Sequence, residues 1–530
     1  MAETKSAGGV KYTSAGADYF EKRKLKRSAG VWGLWGLGIA AVISGDFSGW
    51  NVGLLTTGWG PLLIALLIIT VMYFTMIFSI GEMSAAMPHT GGAYSFARAG
   101  MGPWGGFVTG LAETVEYVVT TAVVVWFSAY YADSALALLI TPEGQELPAA
   151  VLPAPVWWAI LYVLFIGLNS LGAAIGFRFA LVVALISIAV IVFFAIGAFA
   201  TGSVDFSRLF DLAPEGGEAG QFFPFGVGAI LFALPFAIWF FLGIEELPLA
   251  AEEAHNPQKD IPKAGVLGVV TLAVLAIVVL FINPAVTGTT AIANLPDSGE
   301  PLLAGFRLFL PDQLAAVIAL FALIGLLASL QGIMFAYGRN MYSLSRAGYY
   351  PKFLSLTGKR QTPWVALVVG GILGYIILVV VLVIIPMVNP DAGGTAQGVI
   401  LLIAVFGAVI SYIMQMISFV VLRRKFPNAS RPYKSPTGVP GAIVAGIIAV
   451  GALLGILLNS AFVTAVITFL IVFVVGIALF ALIGRTRLVL SPEEEYALSG
   501  GLHGDPQKEG YDVMEGEVPG TGKKAAPKKK

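Results

Sequence analysis

Five carboxylates stand in apolar surroundings: Asp46, Glu113, Glu116, Glu245 and Glu246 each fall inside a long hydrophobic run, and no Lys or Arg does away from a run's first residue. At roughly 2.5–3.5 kcal/mol for each charge at the centre of a membrane helix, five lipid-facing carboxylates would cost about 12–18 kcal/mol. Such groups are therefore expected to face a wet cavity, accept hydrogen bonds or carry protons. Acids without neighbouring bases suit a cation, a proton relay, or both. Glu113 and Glu116, three residues apart, share one helix face. Other chemistries find no support. There is no Cys, and the His at 89, 255 and 503 are too scattered for a metal site. No nucleophile–base pair lies in the apolar runs, so an enzyme is not expected. A net charge of zero without a basic domain argues against a nucleic-acid partner.

Two of the apolar runs are interrupted. Ser44-Gly45-Asp46-Phe47-Ser48-Gly49 breaks the first, and Leu242-Gly243-Ile244-Glu245-Glu246-Leu247-Pro248, with Pro235 upstream, breaks the sixth. Corresponding breaks five runs apart are expected if runs 1–5 and 6–10 are inverted repeats, and they point to a substrate site. The plainer alternative is that these Gly serve close packing. Trp239, Phe240 and Phe241 precede the second break. They could wall a site and offer an ammonium a cation–π contact of about 0.5–2 kcal/mol, or they could simply pack.

The elements that must position these residues follow from composition. Of 530 residues, 57% are hydrophobic and 12% charged, against about 25% charged in soluble proteins. Twelve runs approach the ~20 residues that a bilayer-spanning helix needs: 31–57, 61–80, 104–130, 155–173, 178–201, 223–247, 264–287, 314–338, 364–389, 397–422, 439–458 and 461–484. The expectation is an all-α integral membrane protein with twelve transmembrane helices, since barrel strands would be shorter and alternate in polarity. The alternating sides of these spans place 29 of the 31 Lys and Arg on the face with both termini, leaving Arg208 and Arg307 opposite. The positive-inside rule makes that face cytoplasmic. The chain divides into an N-terminal tail (1–30), spans 1–5 (31–201), spans 6–10 (223–422), spans 11–12 (439–484) and a C-terminal tail (485–530). No signal peptide is evident. The polar tails are expected to be solvated rather than folded, with their basic ends available to anionic lipid.

Several segments carry a family resemblance. EMSAAMPHTGGAYSFARAGMGPWGGFVTG (82–110), AEEAHNPQKDIPKA (251–264), YGRNMYSLSRAGYYPKFL (337–354) with TPW (362–364), and RPYKSPTGVPG (431–441) resemble the amino acid–polyamine–organocation transporter superfamily. Within it, GLWGLGIAAVISGDFSGWN (33–51) and MGPWGGFVTGLAETVEYV (101–118) are most similar to bacterial ethanolamine permeases. The resemblance implies a leucine-transporter-like 5+5 inverted repeat with broken helices 1 and 6 and two further C-terminal helices. It implies import of a small amine across the inner membrane by alternating access, with no cofactor beyond a coupling H+ or Na+. Carried onto this sequence, the substrate-binding candidates are Ser44, Gly45, Asp46, Gly49, Glu113, Glu116, Tyr117, Trp239, Phe241, Gly243 and Glu245. Coupling candidates are Glu116, Ser187 and Ser329; span 5 has no Lys at the position where some proton-coupled relatives place one. Glu246 is expected to serve structure or gating.

Amino acid carriers of this family hold the substrate carboxylate on free backbone N–H groups at the first break. Asp46 would repel it there. The expectation is that Asp46 supplies the anion that ethanolamine lacks, caps the outer half-helix, or does both. Glu245 is expected to cap the inner half of the sixth span. Rival readings are a carrier or exchanger of cationic amino acids, choline or polyamines, and a nutrient receptor on the same scaffold.

Overall fold

Hydropathy and helix length together set the architecture. The computed structural model describes residues 10–13, 22, 25–142, 145–215, 220–289, 295, 298–388, 396–491, 493–494 and 497. Among the described residues the regular structure is helical apart from two two-residue strands. Its principal helices are α1 (Val31–Val42), α2 (Ser44–Phe47), α3 (Val52–Thr57), α4 (Trp59–Ala86), α5 (Gly92–Ile140), α6 (Ala154–Ser170), α7 (Ala173–Ala200) and α8 (Ala229–Ile238). They continue with α9 (Pro257–Thr287), α10 (Pro301–Arg307), α11 (Asp312–Arg346), α12 (Trp364–Val379), α13 (Ala396–Lys425), α14 (Gly438–Leu457) and α15 (Val463–Leu482). Among the described residues, nine helices are long and apolar enough to cross a membrane: α4, α5, α7, α9 and α11–α15. Three shorter apolar segments, Val31–Phe47, Ala154–Ser170 and Ala229–Ile238, coincide with expected spans 1, 4 and 6.

Helix α5 is the centre of the bundle. It packs along α11 and α13, and most of its side chains are buried. Gly102, at φ +82, divides it into a short arm (92–101) and a long helix that starts at Pro103. The residue before a proline avoids the α region, and glycine alone takes this positive φ without strain. The periphery is different. Helix α15 leaves Ile467, Ile471, Val474 and Leu482 exposed, and α7 leaves Leu185, Ile196 and Phe199. A continuous exposed apolar surface of this kind is what a bilayer, and not water, solvates.

The termini depart from the expected solvated tails. Tyr12–Thr13 (β1) pairs in parallel with Leu488–Val489 (β2), and Val10, Leu488, Ser491, Glu493 and Glu494 are buried. Polar composition alone suggested solvation, but arginines from distant helices give these acids partners and thereby remove the penalty of burying them. The terminal basic KKAAPKKK run, expected to meet anionic lipid, lies outside the described residues.

Candidate functional site

Both expected breaks are present, and each exposes backbone groups that other residues then satisfy. The first span is helical through α1 and α2 and becomes extended at Ser48 (φ −161, ψ 159). It turns at Gly49 (φ +98) and resumes as α3. Tyr131 Oη donates to the freed Phe47 carbonyl at 3.1 Å, and Gly49 N–H donates to Asn51 Oδ1 at 3.0 Å. The sixth span leaves the α form after Ile238 and continues past Gly243 as a 3-10 segment, Ile244–Glu253. There both carboxylate oxygens of Glu245 accept from Gly243 N–H, at 3.2 and 3.1 Å. Glu245, expected to cap here, thus reaches back to the backbone N–H of the residue from which the 3-10 segment starts.

Asp46 is not a cap. The chain stays helical to Phe47, so the second half of the broken span begins only at Val52, and Asp46 makes no capping bond. It sits instead at the C-terminal end of the half-helix that runs to Phe47, where the helix dipole is negative and a carboxylate is disfavoured unless a cation offsets it. Its side chain is fully buried, and neither oxygen has a hydrogen-bond partner among the described residues.

The two breaks lie directly against each other. A Cβ on Gly45 would stand 2.2 Å from the Trp239 carbonyl oxygen, and one on Gly49 would stand 2.3 Å from Trp239 Nε1. That indole N–H donates to the Ser48 carbonyl at 2.8 Å. Gly45, Gly49 and Trp239, expected to touch substrate, also pack the two broken helices against each other. The neighbouring aromatics also pack. Phe240 stacks on Trp50 at 5.7 Å and Phe241 on Tyr73 at 4.9 Å, while the Tyr73 and Tyr412 hydroxyls share a hydrogen bond of 2.9 Å.

The acids of α5 divide sharply. Glu113 accepts from Tyr117 Oη at 3.3 Å and from Asn340 Nδ2 at 3.0 Å. Asn340 is held in turn by Thr114 Oγ1 at 2.7 Å. Glu116 lies against Glu245, yet neither of its oxygens makes a well-formed hydrogen bond. Glu246 is also fully buried without such a bond, with Glu245 and Arg339 as its charged neighbours. Asp46, Glu116 and Glu246 are thus buried acids for which the described residues provide no hydrogen bond.

Of the coupling candidates, Ser329 bridges the first break to α11. Its Oγ donates to the Ala41 carbonyl, accepts from Ser44 N–H at 3.3 Å and lies 2.8 Å from Ser44 Oγ. Ser187 donates to its own helix, to the Val183 carbonyl at 2.7 Å. It packs at Gly325, one turn of α11 away from Ser329. Among the described residues, no three His, Cys, Asp or Glu side chains are arranged to hold a metal ion.

The site is closed on both sides. On the face opposite the termini, Ser48 Oγ donates to the Gly299 carbonyl, and Asn51 Nδ2 donates to the Leu295 and Ser298 carbonyls at 2.6 and 3.0 Å. Beyond this contact lies an open cavity of about 490 Å³ lined by Tyr130, Asp133, Glu300 and Arg307 among others. On the termini face, ion pairs form a layer. Arg339 meets Glu253 at 2.8 Å, Arg346 meets Glu252 at 2.6 Å, Arg98 meets Glu494 at 2.6 Å, and Arg423 meets Glu82 at 2.6 Å. Sequence reading missed Arg339, one residue past the expected eighth span. It also missed Asn340, just beyond the same span, and Tyr73 and Tyr412, because single polar residues in an apolar run carry no local signal.

The sequence profile of the amino acid permease family matches residues 33–489. The branched-chain amino acid permease BcaP of Bacillus subtilis (strain 168) is 26% identical over 438 residues, covering 79% of this chain and 85% of its own. The methylthioribose transporter of the same organism is 25% identical over 434 residues, covering 78% and 85%. The lysine-specific permease LysP of Lactococcus lactis is 27% identical over 326 residues, covering 58% and 60%.

Proposed function

Because this chain belongs to the amino acid permease family, whose profile spans residues 33–489, we propose that it is a bacterial inner-membrane carrier that imports ethanolamine or a closely related small amine by alternating access. In this reading the nine long helices and three short ones are twelve spans, arranged as a 5+5 inverted repeat plus two. Both termini are cytoplasmic, on the face with 29 of 31 basic residues.

The observation that carries the substrate class is Asp46. A buried carboxylate at the negative end of a half-helix, without a hydrogen bond from the described residues, calls for a mobile positive charge. An ammonium supplies that charge, and a substrate without a carboxylate avoids repulsion at the same place. Glu116, set against Glu245 between the breaks, is the residue to carry a coupling proton. Ser329, with the Ala41 carbonyl and the Ser44 hydroxyl beside it, is the alternative coupling point for Na+.

A second reading is carriage of an amino acid, favoured by the printed names of the branched-chain and lysine permeases. Labelled ethanolamine uptake into proteoliposomes, with ethanolamine, choline, arginine and alanine as competitors, separates the two. Saturable uptake blocked by ethanolamine alone supports the amine. Strong competition by alanine or arginine would overturn the Asp46 argument and favour the amino acid. Imposed proton and sodium gradients on the same vesicles then discriminate Glu116 from Ser329.

A further inference from the structure

Two glutamates of the C-terminal segment are among the most deeply buried acids in the protein, Glu493 at 1% and Glu494 at 0% exposure. Neither belongs to an apolar helix, so partners must account for their burial. Glu494 accepts from Arg98 Nε at 2.6 Å, Tyr12 Oη at 2.6 Å, Tyr349 Oη at 2.8 Å and Tyr94 Oη at 3.0 Å. Glu493 accepts from Ser343 Oγ at 2.8 Å and from the Arg346 guanidinium. The backbone follows the same course. Val489 N–H donates to the Ala347 carbonyl at 2.9 Å, Leu488 N–H to the Lys11 carbonyl at 3.2 Å, and Lys11 N–H to the Arg485 carbonyl at 2.9 Å. One short segment thereby ties together the N-terminal strand, the arm that precedes the long part of α5, and the end of α11.

This knot lies on the route inward from the acids. Arg346 follows Asn340, the partner of Glu113, by six residues of α11, or about 9 Å at 1.5 Å per residue. In the transport reading, a solute leaving the acid cluster toward the face with the termini meets this layer. We infer that Glu493 and Glu494 are gate residues, and that the C-terminal segment closes the cytoplasmic mouth of the carrier and must leave Arg98 and Arg346 for substrate to pass. The inference rests on the transport reading above.

Three features fit a gate better than a permanent staple. The strand pairing is two residues long, so little backbone structure is lost on release. Arg346 also holds Glu252 through two hydrogen bonds, at 2.6 and 3.0 Å. Departure of Glu493 therefore leaves that guanidinium paired, whereas breaking a buried pair is costly when one charge is left alone. Lastly, the trigger is not protonation of Glu493. Burial alone would raise its pKa, but Arg346 and His89 beside it more than offset this and hold it at about 2. It stays ionised at cytoplasmic pH, so movement of the helices has to open the gate.

The chain has no cysteine, so one introduced thiol can report access. Ala347, fully buried where Leu488, Tyr94 and Val10 cluster, is the reporter position. Full-length Ala347→Cys protein in inside-out vesicles is treated with a membrane-impermeant maleimide, with and without ethanolamine and an imposed ion gradient. Labelling is expected to be slow at rest and faster during turnover. With Glu493→Gln and Glu494→Gln added, it is expected to be at least roughly tenfold faster at rest, tenfold being the scale of losing a single charge-assisted hydrogen bond. The exchanged pair Arg98→Glu with Glu494→Arg should restore slow labelling, which excludes misfolding as the cause. Resting labelling unchanged by the glutamine variants, or restored charge without restored protection, would overturn the gate. Because resting access requires no substrate, failure of ethanolamine uptake would overturn the amine reading alone.

Discussion

The central acids and the acids of the termini face are the same side chains buried to the same degree, with opposite fates. Glu253, Glu493 and Glu494 are at 0–1% exposure and each meets an arginine. Asp46, Glu116 and Glu246 are at 0% and make no well-formed hydrogen bond among the described residues, and of the three only Glu246 has an arginine, Arg339, as a charged neighbour. Where the chain supplies the counter-ion, a buried carboxylate fixes structure. Where it supplies none, as at Asp46 and Glu116, the charge has to be met by a proton or by something that binds and leaves, as the proposed carriage of an amine requires.

Breaking the paired side should give the largest effect. Arg339→Met strands Glu253, and loss of one partner of a buried pair costs about 3–5 kcal/mol. Thermal unfolding in detergent should show a marked drop in Tm, largely recovered in the double variant Arg339→Met, Glu253→Leu. An unchanged Tm for the single variant would erase the distinction drawn here.

On the unpaired side the effect should move from stability to transport. Asp46→Asn is expected to leave Tm unchanged or raised, while ethanolamine kcat/KM falls roughly 30-fold or more, the scale for removing one member of a buried charge contact. Equal losses of stability and uptake would mean that Asp46 is structural after all.

A pH series sharpens the contrast further. The folded pKa of Glu493 is depressed to about 2, from the ordinary glutamate value of 4.5, so its contribution is full above the unfolded pKa and is lost as pH falls toward the folded one. The Tm difference between the wild-type protein and Glu493→Gln should be constant from pH 5 to 8 and narrow below about pH 4.5. A difference that shrinks between pH 7 and 5 would contradict the paired state.

The smallest change is expected at Ser187. Its hydroxyl bonds its own helix, so Ser187→Ala should shift stability by no more than about 0.5 kcal/mol and leave the ion dependence of uptake as it was. Ser329→Ala, which removes the bridge between α11 and the first break, should not be silent in the same assay.

The sequence by itself determined the helical class, the positions of the apolar runs, the two breaks and the identity of the acids within them. These are local properties: transfer of ~20 apolar residues to lipid, and the inability of Gly- and Pro-rich segments to continue a helix. It also placed Glu113 and Glu116 on one face. Only the tertiary structure decided that Glu113 would be satisfied by Asn340, 227 residues away, while Glu116 would face another acid. The same holds for Gly45 and Gly49, legible as breaks but not as seats for Trp239, and for the C-terminal glutamates, whose polar surroundings in sequence concealed Arg98 and Arg346. Burying a charge depends on which partner arrives in space, and partners hundreds of residues apart leave no mark on local composition or period.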